Sequence, residues 1–187
     1  MVGCVCRGGV RDQTNNRGGD GLWFTGQSRG VVRESEFVGN DIGIRVQGES
    51  QPVLEGNRCE ENQSVGIWYG ERSGGVARNN TCQKNGMAGI GVGGESQPVL
   101  EGNRCEENRY SGIVYFDRSG GVARNNTCQK NGYDGIAVQG ESQPVVEGNQ
   151  CDGNNRYGIY VQASASPKIG RNSASGNKEG NVYRQGR

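Results

Sequence analysis

Glu71 and Asp117 stand 46 residues apart in matching surroundings, each followed by an arginine, Arg72 and Arg118. Paired carboxylates are what glycoside hydrolysis requires, about 5 Å apart for retention and about 6.5 to 9.5 Å for inversion. Cys59, Cys82, Cys105, Cys128 and Cys151 recur every 23 residues and raise disulfide or metal chemistry, with Cys4 and Cys6 as a separate CxC pair. Trp68, Tyr110, Tyr133, Tyr157 and Tyr160, with Phe116 close by, offer flat rings suited to apolar sugar faces or a protein partner. Histidine is absent, which excludes Ser-His-Asp and Cys-His nucleophiles, HExxH zinc sites and histidine proton transfer.

What these residues can do depends on the elements that hold them, and those follow from a repeat. Gly-Ile recurs at Gly43, Gly66, Gly89, Gly112, Gly135 and Gly158, always 23 residues on, with Gly21-Leu22 a shortened 22 before the first. Asparagine keeps the same step in two columns, one from Asn57 to Asn172 and one from Asn62 to Asn177. Apolar residues alternate over short stretches, as in Ile44 and Val46, which is the period of a strand with one buried face. A fixed period of this length marks a solenoid. The sequence therefore predicts an all-β, single-stranded parallel β-helix of about seven coils, with 23 residues and three short strands per coil. Residues 1–20 fit poorly and are expected to form an irregular cap or a degraded coil, with the repeat domain over 21–187.

Stacking explains most of the repeated polar and charged residues. Like positions lie about 4.8 Å apart in neighbouring rungs. The bend column Gly56, Asn79, Gly102, Asn125, Gly148 holds only residues that tolerate a left-handed backbone. A longer rhythm of 46 residues appears because Gly48–Asn62 returns unchanged as Gly94–Asn108, and Arg72–Gly86 as Arg118–Gly132. Within it, Val46 with Leu54 alternates with Tyr69 with Ala77, large against small, so these columns should face each other across a narrow core. Charge alternates too: Glu49 and Arg72, Glu55 and Arg78, and Glu61 and Lys84 begin three columns expected to form ion-pair ladders.

The run from Ser50 to Ile67, SQPVLEGNRCEENQSVGI, resembles the CASH repeat, named for carbohydrate-binding and sugar-hydrolysing proteins. The resemblance extends from Gly21 to the C-terminus, and it implies a right-handed β-helix of the NosD-like, pectate-lyase-like superfamily. That superfamily includes periplasmic proteins, F-box protein β-helices and polysaccharide-active enzymes, so the resemblance implies fold more narrowly than function. It supplies no catalytic motif that matches residue by residue. A pectate-lyase-like site would need clustered Asp ligands for calcium, whereas the Glu columns here alternate with Arg.

The chemistry can now be weighed. Five cysteines on parallel inward vectors one rung apart neither bridge nor converge on a metal, so they read as buried thiols, with no metal site and no cofactor expected. Such a ladder points to a reducing, cytoplasmic compartment, and the opening Met-Val-Gly-Cys-Val-Cys resembles no signal peptide. Glu71 and Asp117 fall two rungs apart, about 9.6 Å, at the upper margin for inversion, and the plainer account pairs them with a solvated bend. A net charge of +1 gives no basic stripe for nucleic acid, and no apolar run reaches a membrane span. The aromatic edge of Trp68, Tyr110, Tyr133, Tyr157 and Tyr160 remains as the candidate ligand-binding surface. These residues suit a non-catalytic scaffold or protein-interaction module, or alternatively a carbohydrate-binding or polysaccharide-active protein. Unpaired strand edges at the rod's ends add end-to-end self-association as an expectation.

Overall fold

The computed structural model describes residues 5–7 and 19–186, and every regular element there is a short strand. Each coil up to Thr127–Gln129 contributes one strand to each of three parallel sheets, and beyond it the third sheet continues only as isolated bridges at Gln150 and Ser173. The first sheet stacks eight strands of the Gly-Ile type, from Leu22–Phe24 through Ile67–Tyr69 and Ile113–Tyr115 to Gly180–Arg184. The second stacks seven, from Val31–Arg33 to Lys168–Ile169, and the third stacks six, from Val5–Arg7 to Thr127–Gln129. Register follows the sequence period: Cys59 pairs with Cys82, Cys82 with Cys105 and Cys105 with Cys128. Strand Val5–Arg7 pairs with Glu36–Val38 and so extends the third sheet by one strand. The rest of the expected cap, residues 1–4 and 8–18, lies outside the described residues.

Alternation puts one side of every strand inside. Ile44, Val46, Leu54, Tyr69, Ala77, Leu100, Tyr115 and Ala123 are all fully buried in one core, together with the five repeat cysteines. Tyr69 sits in a rung with Ala77, and Leu54 in a rung with Val46, as the volume exchange requires. Exchanging volumes leaves one defect, because the Tyr69 and Tyr115 hydroxyls are buried without a hydrogen-bond partner. All five cysteines are free, and burial pushes the Cys59 thiol well above its ordinary pKa.

Corners are made by left-handed residues, and there are three per coil rather than the one visible in the sequence. The Gly56, Asn79, Gly102, Asn125, Gly148 column has φ between 55° and 66°. A second column runs through Gly48, Glu71, Gly94, Asp117 and Gly140, with Glu71 at 61° and Asp117 at 55°. The third runs through Gly39, Glu61, Lys84, Glu107, Lys130 and Gly153. This corrects the expectation for that column. Its acids and lysines mark a corner, and among the described residues no ion pair joins Glu61, Lys84, Glu107 or Lys130. The other two columns do pair: Arg72 with Glu49 at 3.0 Å, Arg78 with Glu55 at 3.0 Å and Arg124 with Glu101 at 3.1 Å, while Arg118 meets Glu95.

The asparagines satisfy the backbone at two of these corners. Asn80 Nδ2 donates to Leu54 O and to Asn103 Oδ1, and Asn80 Oδ1 accepts from Asn57 Nδ2 and from the Asn57 main-chain N–H. The same pattern links Asn57 through to Asn172 and Asn40 through to Asn177. Each side chain therefore closes a corner in one coil and ties it to the next.

Candidate functional site

Outward residues of the first sheet set the site. Trp68 follows Arg45 and precedes Gly91 and Val114 in one outward column. Its indole lies across the neighbouring coil: a Cβ at Gly91 would fall 2.7 Å from Trp68 Cε3, one at Gly93 2.9 Å from Cη2, and one at Gly70 2.7 Å from Nε1. Three glycines thus form its seat, at positions where other coils carry Arg45, Gln47, Val114, Phe116 or Gln139. Trp68 is consequently half-buried. Phe116 is half-buried as well, with its ring centroid 6.5 Å from that of Trp68.

Between these rings and the preceding bend runs a groove. It consists of two adjoining hollows, of about 270 Å³ and about 260 Å³, that share Met87, Ala88, Val114 and Phe116. The first hollow is closed by Trp68, Ile42 and Val65, and Ser64 is its sole hydroxyl-bearing lining residue. The second adds polar groups to a largely apolar lining, with Tyr110, Tyr133, Ser111, Asp134, Gln139 and Arg156. Tyr110 and Tyr133 stack at 5.0 Å along its rim. Arg156 continues that stack, its guanidinium 5.5 Å from the Tyr133 ring and 5.3 Å from those of Tyr157 and Tyr160. Tyr157 and Tyr160 also stack with Tyr183, at 4.7 Å and 5.8 Å, and so form a cluster beyond the groove's end.

Asp134 is the residue that sequence reasoning missed. Its column reads Ile42, Val65, Ala88, Ser111, and then an acid that is only 2% exposed. Its sequence signal is a lone acid entering a column of apolar and small residues, without the second carboxylate that hydrolytic pairs require. Asp134 Oδ1 accepts the Tyr157 main-chain N–H at 3.1 Å, and Oδ2 faces Arg156 Nη1 at 3.7 Å. Burial raises its pKa above the ordinary value, the Tyr157 N–H and Arg156 opposing and Glu179 adding to the rise. Glu179 in turn lies 3.6 Å from Arg156, so this guanidinium serves two carboxylates.

Glu71 and Asp117 line no part of the groove. Glu71 Oε2 accepts the Gly48 N–H at 2.9 Å and Asp117 Oδ2 the Gly94 N–H at 2.9 Å, each reaching back one coil to close a corner. Both acids therefore have main-chain partners of their own, on corners two rungs apart. No group of three or more His, Cys, Asp or Glu side chains among the described residues is placed to hold a metal ion.

Comparison with known proteins agrees with this architecture. A family model described as the right handed beta helix region matches residues 10–90 and 62–187. The chain belongs to the right-handed β-helix family. Among solved structures, a mutant of the periplasmic alginate epimerase AlgG matches with a TM-score of 0.61 and 19% identity over 84% of this chain. The match spans 48% of the epimerase chain, about half its length, and at this identity it establishes shared fold. No curated protein matches the chain.

Proposed function

We propose that this β-helix is a non-catalytic saccharide-binding module whose working surface is the groove on the outer face of the first sheet. The observation that carries the reading is the groove's lining: Trp68 and Phe116 on one side, Tyr110 and Tyr133 on the other, with Asp134, Gln139 and Ser111 between them. Flat rings take the apolar faces of sugars, and a few polar groups fix hydroxyls. Asp134 is the one carboxylate in that lining, whereas hydrolysis of a glycosidic bond uses two flanking the bond, which favours binding over cleavage. The periplasmic alginate epimerase, an enzyme named for a polysaccharide, shares the fold, which supports a saccharide ligand. A protein partner is the second reading, favoured by the almost wholly apolar lining of the hollow beneath Trp68.

A glycan array with wild type and Tyr133→Ala tests the proposal. Tyr133 is 42% exposed, so its loss should weaken saccharide binding by about 1 to 3 kcal/mol while leaving the melt unchanged. Trp68→Ala should weaken both binding and stability, because it empties the glycine seat. A silent array, or reducing sugar released by wild type, would overturn the reading.

A further inference from the structure

The groove's charges narrow what it can hold. Arg156 is the one cationic residue in the lining, and it is already engaged by Asp134 and Glu179 at 3.7 Å and 3.6 Å. A polyuronate would bring a carboxylate with each sugar into a site with no uncommitted cation, beside a buried acid. Such a placement costs desolvation without compensation. Asp134, by contrast, wants a donor. Its Oδ1 is bonded to the Tyr157 N–H, but its Oδ2 has only the Arg156 contact, which is too long for a hydrogen bond. A ligand N–H or O–H pointing at Oδ2 would complete it, and burial makes that bond worth more than in water.

The other half of the groove asks for apolar groups. Ala88, Val114 and Phe116 floor both hollows, and Met87 and Trp68 wall the first. Bare hydroxyls would find only Ser64 there and would lose their hydration. Small methyl-bearing substituents on the sugar would be buried instead.

Resting on the saccharide-binding reading, we infer that the groove takes an uncharged glycan with acetamido substituents. The acetamido methyls lie over Ala88, Val114 and Phe116, and Asp134 Oδ2 accepts an amide or hydroxyl hydrogen from a neighbouring sugar. From Ser64 to Arg156 the groove crosses four rungs, about 19 Å, so the ligand is an extended chain rather than a single sugar.

Titration calorimetry with three probes tests this: N-acetylated chitotetraose, cellotetraose, and a tetrasaccharide of galacturonate. The acetamido chain should bind about fifteen- to fiftyfold more tightly than cellotetraose, the gain from burying two or three methyl groups. The uronate should give no heat of binding. Asp134→Asn should weaken the acetamido chain by about tenfold or more, the loss expected of a hydrogen bond to a charged group. Phe116→Ala should erase the preference over cellotetraose. Uronate binding as tight as the acetamido chain would overturn the inference and leave saccharide binding standing. Equal affinity for the two neutral chains, or an unaffected Asp134→Asn, would overturn the ligand assignment. Silence from all three probes would overturn it together with the reading beneath it.

Discussion

Asp134 couples the groove to pH, and in the opposite sense to the acids on the coil's outer ladders. Burial raises the Asp134 carboxyl, so the native state holds its proton more readily than the unfolded chain. Its contribution to stability is fully present below the unfolded carboxylate range and is lost as pH rises through the folded value. Glu49 is held low by Gln27 and then Arg72, and Glu55 by Arg78 and then Arg33, so their contributions are present above the ordinary range and lost as pH falls through the lowered values. Asp134→Asn keeps an acceptor for the Tyr157 N–H and removes the buried charge. It should therefore melt higher than wild type at neutral pH, with the two curves merging below the carboxylate range. A variant that melts lower at neutral pH would show that the Arg156 contact outweighs burial. Trp68, Tyr110 and Tyr133 were legible in the sequence as departures from the repeat. Asp134 left a fainter mark, one acid in a column of apolar and small residues, and Arg156 left none, because its role comes from rings such as Tyr133, 23 residues before it, that only the stacked coils bring beside it.

At the level of elements, strands of three residues cannot hold themselves together, and the asparagine ladders supply the missing order. Asn103 illustrates the stake. Its Oδ1 accepts two hydrogens from Asn80, and its Nδ2 donates to Ala77 O and Asn126 Oδ1, all buried. Asn103→Ala would strip partners from Asn80 and Ala77 in one neighbouring coil and from Asn126 in the other, so it should cost about 3 to 5 kcal/mol in a urea melt. A cost under about 1 kcal/mol would mean that water replaces the amide. The ladders and the Gly/Asn corner could be read from residue type, since few side chains suit a buried bend or a left-handed φ. Two further corners could not. Glu61, Lys84 and Glu71 are poor left-handed residues, and they are held at φ of 52° to 61° by the hydrogen bonds of coils above and below, which only the stacked molecule contains.

Across the whole molecule, contacts run almost entirely between a coil and its two neighbours, as in other solenoids. Such a rod is held by a sum of interfaces, and the interfaces here are of two kinds, because Tyr-with-Ala coils alternate with Val-with-Leu coils and Arg coils with Glu coils. The repeat, the strand count and the core columns were therefore open to sequence reading, while the groove was not, since it arises where the alternation is broken by Gly91, Gly93, Val114 and Phe116.

That alternation makes the rod's length a quantised variable. Deleting residues 95–140 joins Gly94 to Glu141 and restores every neighbour by type: Val146 takes the place of Leu100 beside Val92, and Glu147 that of Glu101 beside Arg78. Deleting residues 95–117 brings Arg118 over Arg72, Arg124 over Arg78, and Ala123 beside Val92, so that like charges meet above a void. The larger excision should therefore leave the more stable protein, with a cooperative urea transition, while the smaller one unfolds at distinctly lower denaturant. Equal midpoints would show that single coils are interchangeable. Otherwise the unit of inheritance in this molecule is the pair, and a lineage could lengthen or shorten it only in steps of about 9.6 Å.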